Sequence, residues 1–457
     1  MEVDPTDAQN RRFFITFPPL FDISLMTKPI TVLLFLTLLA GPALAQFKNL
    51  TLASAVGASA NDAPAYEPGV AINKKDPRNI VVSAYPNNIY YTADGGATWK
   101  KTTVPYSAPC AQASLATDDK DNFYYFHLSS VTGPSQIIMH ASTDRGATWS
   151  EGVSLEGTLA KDNRWLNVST TPSGSLLATW TQTDQYADAA AECQSVIKYS
   201  KSSSGKKWSE PVTISQTPGH CQEGAAMAAG SSAGISPDGK VYLLWSRGGR
   251  LYLDRSYNGG SLWLSTDIAV VEQKGGWHLP VAGHPGGSGQ PQLIVDYSKN
   301  MMKGSLYVTY ADQRHGADDT DVWFVRSHNG GDNWTSPQRL GSNEAGKHQY
   351  MPAMTVDQTT GFIYIVYLDR GAYADEQTDV FLAYSSDGGA NFKSTKVSEA
   401  PFTADAAVPY GDYIAVAAHK GIITPVWTRI DQGKTSICTA IITQEQLMPP
   451  PAGTKKK

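Results

Sequence analysis

The chain has 457 residues, a formal net charge of −5 and only 17% charged residues, with 40 glycines, 11 tryptophans and 22 tyrosines. That length holds two ordinary domains or one large repeat fold. The only basic run is Lys455 to Lys457, too short to be more than a solvated tail, which argues against a nucleic-acid partner.

In chain order, residues 1 to 25 carry no structural pattern, and translation is expected to start at Met26 rather than Met1. Lys28 to Ala45, "KPITVLLFLTLLAGPALA", joins one positive charge, a short apolar run and a small-x-small ending, the pattern of a secretory signal peptide. Cleavage after Ala45 leaves Gln46 first and implies a secreted or periplasmic protein. The apolar run Ile30 to Ala40 is short for a membrane span, so no membrane contact is expected after cleavage. The expected division is therefore 1–45 leader, 46–445 a single domain, and 446–457 a disordered Pro/Lys tail.

Export permits disulfides. Of the four cysteines, Cys193 and Cys221 flank one repeat and are the favoured pair, while Cys110 and Cys438 read as isolated strand residues. None of the spacings resembles a zinc site.

A short motif recurs along the mature chain: "TADGGATW" ending at Trp99, "STDRGATW" at Trp149, "SYNGGSLW" at Trp263, "SHNGGDNW" at Trp334 and "SSDGGANF" at Phe392, with "SSSGKKW" at Trp208 a degraded copy. Repetition at intervals of roughly 50 to 70 residues signals an array of similar units. Before each copy the pattern reads strand, turn, strand, loop, strand, and one more strand follows, which makes a four-stranded antiparallel blade. Innermost-strand candidates start near Glu67, Ala113, Trp165, Gly224, Pro291, Pro352 and Asp412, predicting an all-β, seven-bladed propeller, with six blades the alternative. The last unit lacks an outermost strand, and "FKNLTLAS", Phe47 to Ser54, is the spare strand expected to close the ring.

The motif resembles the Asp-box, S-x-D-x-G-x-T-W, of the sialidase and BNR-repeat superfamily, and the resemblance covers nearly the whole mature chain. It is a hairpin turn: the short side chains of Asp94, Asp144, Asn258, Asn329 and Asp387 bond nearby N–H groups, and glycine takes positive φ. Strand order sends all of these turns to the lower face. Chemistry is then expected on the upper face, among loops and innermost-strand starts.

Three carboxylates begin innermost strands there: Glu67 in "YEPGV", Glu223 in "CQEGAAM" and Asp412 in "PYGDYIAV". Glycoside hydrolysis uses two carboxyl groups flanking a sugar, and the sialidase type replaces the nucleophile with tyrosine, for which Tyr410 is the best placed, with Glu223 as its proton acceptor. Arg247, Arg314, Arg370 and Arg429 recur at the ends of second strands and would suit a carboxylated sugar. Their context also fits internal salt bridges, Arg314 with Asp321 and Arg370 with Asp379. The acid-rich loops "QTDQYADAAAEC" and "GADDTD" could hold calcium but lack the ordered spacing of a calcium loop. His284, His315 and His348 have no metal-ligand spacing, and no metal or other cofactor is expected.

An exo-sialidase of the superfamily has an arginine followed by Ile-Pro near its first blade; Glu67 stands in its place here. The segments "HQYMPAMTVDQTTG", "FTADAAVPYGDYIAVAA" and "PVWTR" are similar to secreted bacterial sialidase-like BNR-repeat proteins. The resemblance implies a monomeric glycoside hydrolase acting on a glycan or small saccharide. The alternative is a non-catalytic propeller binding a glycan or protein on the same face, since fold alone does not fix function.

Overall fold

The computed structural model describes residues 47–56, 64–130, 134–156, 161–171, 174–284, 289–341 and 345–448. The expected leader and cleavage site, and the tail from residue 449, lie outside them. No described helix is long and apolar enough to cross a membrane.

Why the chain forms blades is visible in the second strands. Ile80–Ala84, Phe123–Leu128, Leu306–Asp312 and Ile363–Asp369 are buried at every position, rich in β-branched and aromatic residues, and bounded by turn residues. Such a strand needs neighbours on both edges and cover on both faces. Edges come from its own blade, faces from the blades on either side.

Seven antiparallel sheets result, six built from four consecutive strands and the seventh from three consecutive strands and an N-terminal one, with small additions. Blade 1 runs Gly69–Ile72, Ile80–Ala84, Asn88–Thr92, Lys100–Thr102. Blade 2 starts at Ala111–Thr117, blade 3 at Asp162–Thr170, blade 4 at Ala229–Ile235, blade 5 at Gln292–Val295, blade 6 at Gln349–Val356 and blade 7 at Ala415–His419. Each interface between neighbouring blades holds its own apolar cluster. Leu253, Val295, Tyr310 and Val325, for example, join blades 4 and 5, and Leu177, Tyr199, Val241 and Trp245 join blades 3 and 4.

The ring closes with the N-terminal strand. Asn49–Thr51 pairs antiparallel with Lys434–Ala440 in the register Asn49↔Ala440 to Thr51↔Cys438, supplying the outermost strand of blade 7. Asn49 also donates to Val397 O at 2.9 Å and exchanges bonds with Glu399 on the blade 6 side. At the other end Gln444–Leu447 forms one helical turn capped by Thr443.

All five Asp-box copies share one bonding pattern. The side-chain oxygen of Asp94 accepts the Thr98 N–H at 2.9 Å, and Asp144, Asn258, Asn329 and Asp387 accept from Thr148, Leu262, Asn333 and Asn391 at 2.8–3.0 Å. The box also spaces the blades. Gly146 has φ 91°, and a Cβ there would lie 2.6 Å from Val81 of the preceding blade, so only glycine lets the hairpin seat against its neighbour.

The boxes line one rim. The turn Ser236–Lys240 of blade 4, Lys303 of blade 5 and the box residue Asn329 line one recess there. Glu67 and Asp412 stand just before Gly69–Ile72 and Ala415–His419 and face the other rim, whereas Glu223, expected to begin an innermost strand, lies in a bend six residues ahead of Ala229–Ile235. Between the rims the innermost strands enclose a channel with a cavity of about 740 Å³.

Candidate functional site

The upper mouth is shaped by a repeated backbone irregularity. Glu67, Gln112, Trp165, Gly230 and Met351 occupy equivalent positions at the heads of five innermost strands, and all have positive φ, from 47° at Gln112 to 65° at Gly230. In four of these blades the pairing register shifts at this level, between Ala111 and Ser114, Arg164 and Asn167, Ala229 and Ser232, and Tyr350 and Ala353. A bulge re-aims the side chain it carries. Four of the five are non-glycine residues in a costly conformation, which the surrounding sheet must enforce.

Trp165 uses that re-aiming to reach across the mouth. Its indole N–H points at Asp412 Oδ2, 3.5 Å away, from blade 3 to blade 7. The ring packs edge-on against Trp277 at 4.4 Å and Tyr186 at 5.8 Å, in an apolar cluster with Met227 and Ala229. The Tyr413 hydroxyl donates to Ala113 O at 3.1 Å. Trp165, Gln112, Gln290 and Tyr413 are among the residues that border the channel at its upper end.

At this level stand Glu67 and Asp412. Burial and the Asp412 charge push Glu67 up to about 8, although the N–H groups of Gln112 and Asp412 favour its ionised form. Burial also raises Asp412, to about 6; the Trp165 N–H and His278 lower it and Glu223 raises it. The backbone makes room for this pair at Gly411, where φ is 88° and a Cβ would lie 2.6 Å from Glu67 Cγ.

Glu223 lies 3.5 Å from His278 Nδ1, at the more open side of the mouth. Arg164 pairs with Asp162 at 3.0 Å, lies 4.4 Å from the Tyr186 ring centre and feels the Glu223 charge. The Cys193–Cys221 disulfide is present and ties the Tyr186 loop to the segment leading to Glu223, with Ala187 N–H donating to Cys221 O. Cys110 and Cys438 are free and buried.

The structure thus brings Glu67, Asp412 and Glu223 into one electrostatic neighbourhood. Tyr410 lies elsewhere: it is 2% exposed, packs on His284 and Phe402, and burial holds its hydroxyl well above the usual range. After burial, the groups acting most strongly on it are Tyr350, Arg370, Cys438 and Arg429.

The four arginines are held internally, though not by the partners expected. Arg314 forks onto Asp312 at 2.6–3.0 Å and stacks on Trp323, while Asp321 binds Arg339 and His315. Arg429 forks onto Asp431 and reaches Ala400 O and Pro401 O. Arg247 lies over Tyr252. Arg370 is 3% exposed and donates to Ala282 O, Thr378 and Tyr350, whereas Asp379 is taken by Tyr373, Lys396 and Ser398. Nearness along the chain explains Arg314 and Arg429, each of which meets the carboxylate two residues away, Asp312 and Asp431.

In the acid-rich loops the carboxylates serve the backbone. Asp184 and Asp188 accept from Gln194 and Ala190, and Asp319 accepts from Gly346. Among the described residues, the metal-ligating types gather in one group, Asp184 with Cys193 and Cys221, and the two cysteines are joined to each other. His315 binds Asp321, His348 binds Thr320, and His284 donates to Gly411 O.

Trp277, His278 and Arg164 were not anticipated from the sequence. The first two sit in the long connection between blades 4 and 5, which no local pattern ties to the mouth. Arg164 had a signal: "DNR" at Asp162, "DQR" at Asp312 and "RID" at Arg429 are the same two-apart acid–arginine pairing.

Residues 68–265 match the model of the BNR repeat-like domain. No curated protein matches the chain in sequence. Among solved structures, an ulvan lyase of a polysaccharide-lyase family, bound to a saccharide, is similar at a TM-score of 0.50 and 12% identity, over 84% of this chain and 94% of that one. An α-L-arabinofuranosidase from Fusarium graminearum, with an iminosugar inhibitor, gives 0.47 and 12%, over 84% and 94%. A Hadza microbial sialidase gives 0.46 and 12%, over 80% and 73%. Such identities speak to fold alone. With its boxes along one rim and residues 68–265 matching the BNR repeat-like domain, the chain is a seven-bladed β-propeller.

Proposed function

We propose that the protein is a secreted or periplasmic monomer that hydrolyses a glycoside at its upper mouth. One observation carries this reading: two carboxyl groups, Glu67 and Asp412, meet across Gly411 at the head of the channel beside the Trp165 indole, in surroundings that raise the acidity constants of both. Pairs of that kind divide acid and base roles between them. Burial and the Asp412 charge favour the protonated form of Glu67, while the Trp165 N–H favours the ionised form of Asp412.

Glycoside cleavage needs that division. Glu67 gives its proton to the departing glycosidic oxygen, while Asp412 takes a proton from the water that attacks the anomeric carbon. Glu223, on the open side beside His278, is placed to orient sugar hydroxyls. Trp165, Trp277 and Tyr186 supply apolar cover beneath. The chemistry calls on no metal or other cofactor.

A second reading, non-catalytic binding of a glycan or protein on the same face, has its own support. Trp165 is only 5% exposed and its N–H is directed at Asp412, which limits access to that carboxyl.

Turnover decides between them. The protein is screened against aryl glycosides, sialosides included, beside Glu67→Gln, Asp412→Asn and Glu223→Gln. Release of aglycone that is lost in Glu67→Gln and Asp412→Asn supports hydrolysis. Saccharide binding without turnover on any member supports the second reading.

A further inference from the structure

One segment joins several parts of the mouth. Residues 273–284, which follow the outermost strand of blade 4, place Trp277 on Trp165 and His278 beside Glu223. The loop then turns tightly, with His284 N–H donating to Val281 O at 2.8 Å, and this turn reaches blades 6 and 7. Arg370 of blade 6 donates to Ala282 O at 2.7 Å. His284 donates from Nε2 to Gly411 O at 3.0 Å, one residue before Asp412. Between them Gly283, with φ 72°, comes close enough to Ala404 O that a Cβ would lie 2.7 Å from it.

Arg370 is an unusual fastener. It is 3% exposed, forms no ion pair with a carboxylate among the described residues, and satisfies itself on a carbonyl and two hydroxyls. A buried cation held by neutral acceptors is costly and persists where its geometry is needed. Its charge also reaches His284. Together with burial it holds that imidazole down to about 4, so the ring stays a neutral Nε2–H donor across the physiological range.

We propose that Arg370 and His284 are positioning residues: by clamping the 281–284 turn they fix Gly411, and through it the separation of the Glu67 and Asp412 carboxyls. Neither touches a substrate in this scheme. Gly411 is the coupling element, because the Glu67 side chain lies against its α-carbon and Asp412 is its chain neighbour. A shift of its carbonyl moves both members of the pair.

This rests on the reading that Glu67 and Asp412 are the working pair, yet its test needs no substrate. Carboxylate ¹³C titration of the whole protein, assigned with Glu67→Gln and Asp412→Asn, gives the midpoints of both groups. In Arg370→Gln and His284→Asn the turn is released, and the midpoints move by about one pH unit toward ordinary carboxyl values. Arg370→Lys and His284→Gln each keep a donor at the right reach and retain the parental titration. Native near-UV dichroism identifies variants that fold, and if Arg370→Gln does not fold the His284 pair decides. Folded variants with parental midpoints overturn the positioning role while leaving the proposed hydrolysis intact. Shifted midpoints in a protein that turns over no glycoside would support positioning and remove the hydrolysis.

Discussion

The indole nitrogen of Trp165, on the innermost strand of blade 3, lies 3.5 Å from a carboxylate oxygen of Asp412, at the head of blade 7. A side chain that bridges the mouth in this way does two things: it tunes an acid and it forms part of a floor. Trp165→Phe separates them. Keeping the ring but losing the donor removes support for ionised Asp412, so its midpoint, already near 6, rises further. Trp165→Ala also empties the packing against Trp277, at a cost of about 3–5 kcal/mol by denaturant unfolding.

Stability and the proposed chemistry oppose each other at Glu67. Its folded value of about 8 exceeds the ordinary 4.5, so between these pH values the unfolded chain releases a proton that the folded chain keeps. Stability therefore falls as pH rises through that window. Glu67→Gln, which cannot ionise, is expected to be more stable than the parent by about 4 kcal/mol at pH 8, with the difference vanishing near pH 4. Urea unfolding across pH checks both the sign and the window. A variant equally stable at both ends would contradict the raised acidity constant.

The Asp-box glycines are expected to differ in cost according to what stands beside them. Gly331 and Gly259 both have positive φ, but a Cβ at Gly331 would come within 2.5 Å of Leu253 of the preceding blade, whereas nothing lies within 4 Å at Gly259. Gly259→Ala carries backbone strain alone, about 1 kcal/mol. Gly331→Ala adds an overpacked blade interface and loses about 2–4 kcal/mol in all. Both should leave glycoside turnover or saccharide binding at the opposite rim unchanged.

Ring closure gives the largest expected effect from a short segment. Removing residues 46–55 strips blade 7 of its outermost strand and of the Asn49 bonds to Val397 and Glu399. A fall in melting temperature of roughly 10 °C is expected, corresponding to the loss of several kcal/mol in a domain of this size. An unchanged melting temperature would mean that the terminal strand is ornamental.

The blade plan was legible because its signals are local. A strand, a turn and the box fit within one unit, and repetition removes the ambiguity a single copy would carry. Glu67 and Asp412 could be named from the sequence for the same reason: each stands at the head of an innermost strand, a position that counting strands provides, whereas Glu223 precedes its strand, Ala229–Ile235, by a six-residue bend. Trp277 and His278 could not, because their place over the mouth depends on how a 19-residue connection, 273–291, crosses the rim. The partner of Arg314 was misassigned by favouring a repeated acidic context over the carboxylate two residues away, Asp312, the spacing that Arg429 also uses with Asp431. The positive φ of Trp165 has no sequence signature, since glycine is the residue that normally announces it.

Closure by Asn49–Thr51 also orders events during synthesis. The strand's partner, Lys434–Ala440, leaves the ribosome almost four hundred residues later, so an early segment must wait unpaired until the end of the chain arrives. A prematurely terminated polypeptide would display both an orphan strand and an open blade edge, marks by which quality-control proteases could tell it from a finished ring.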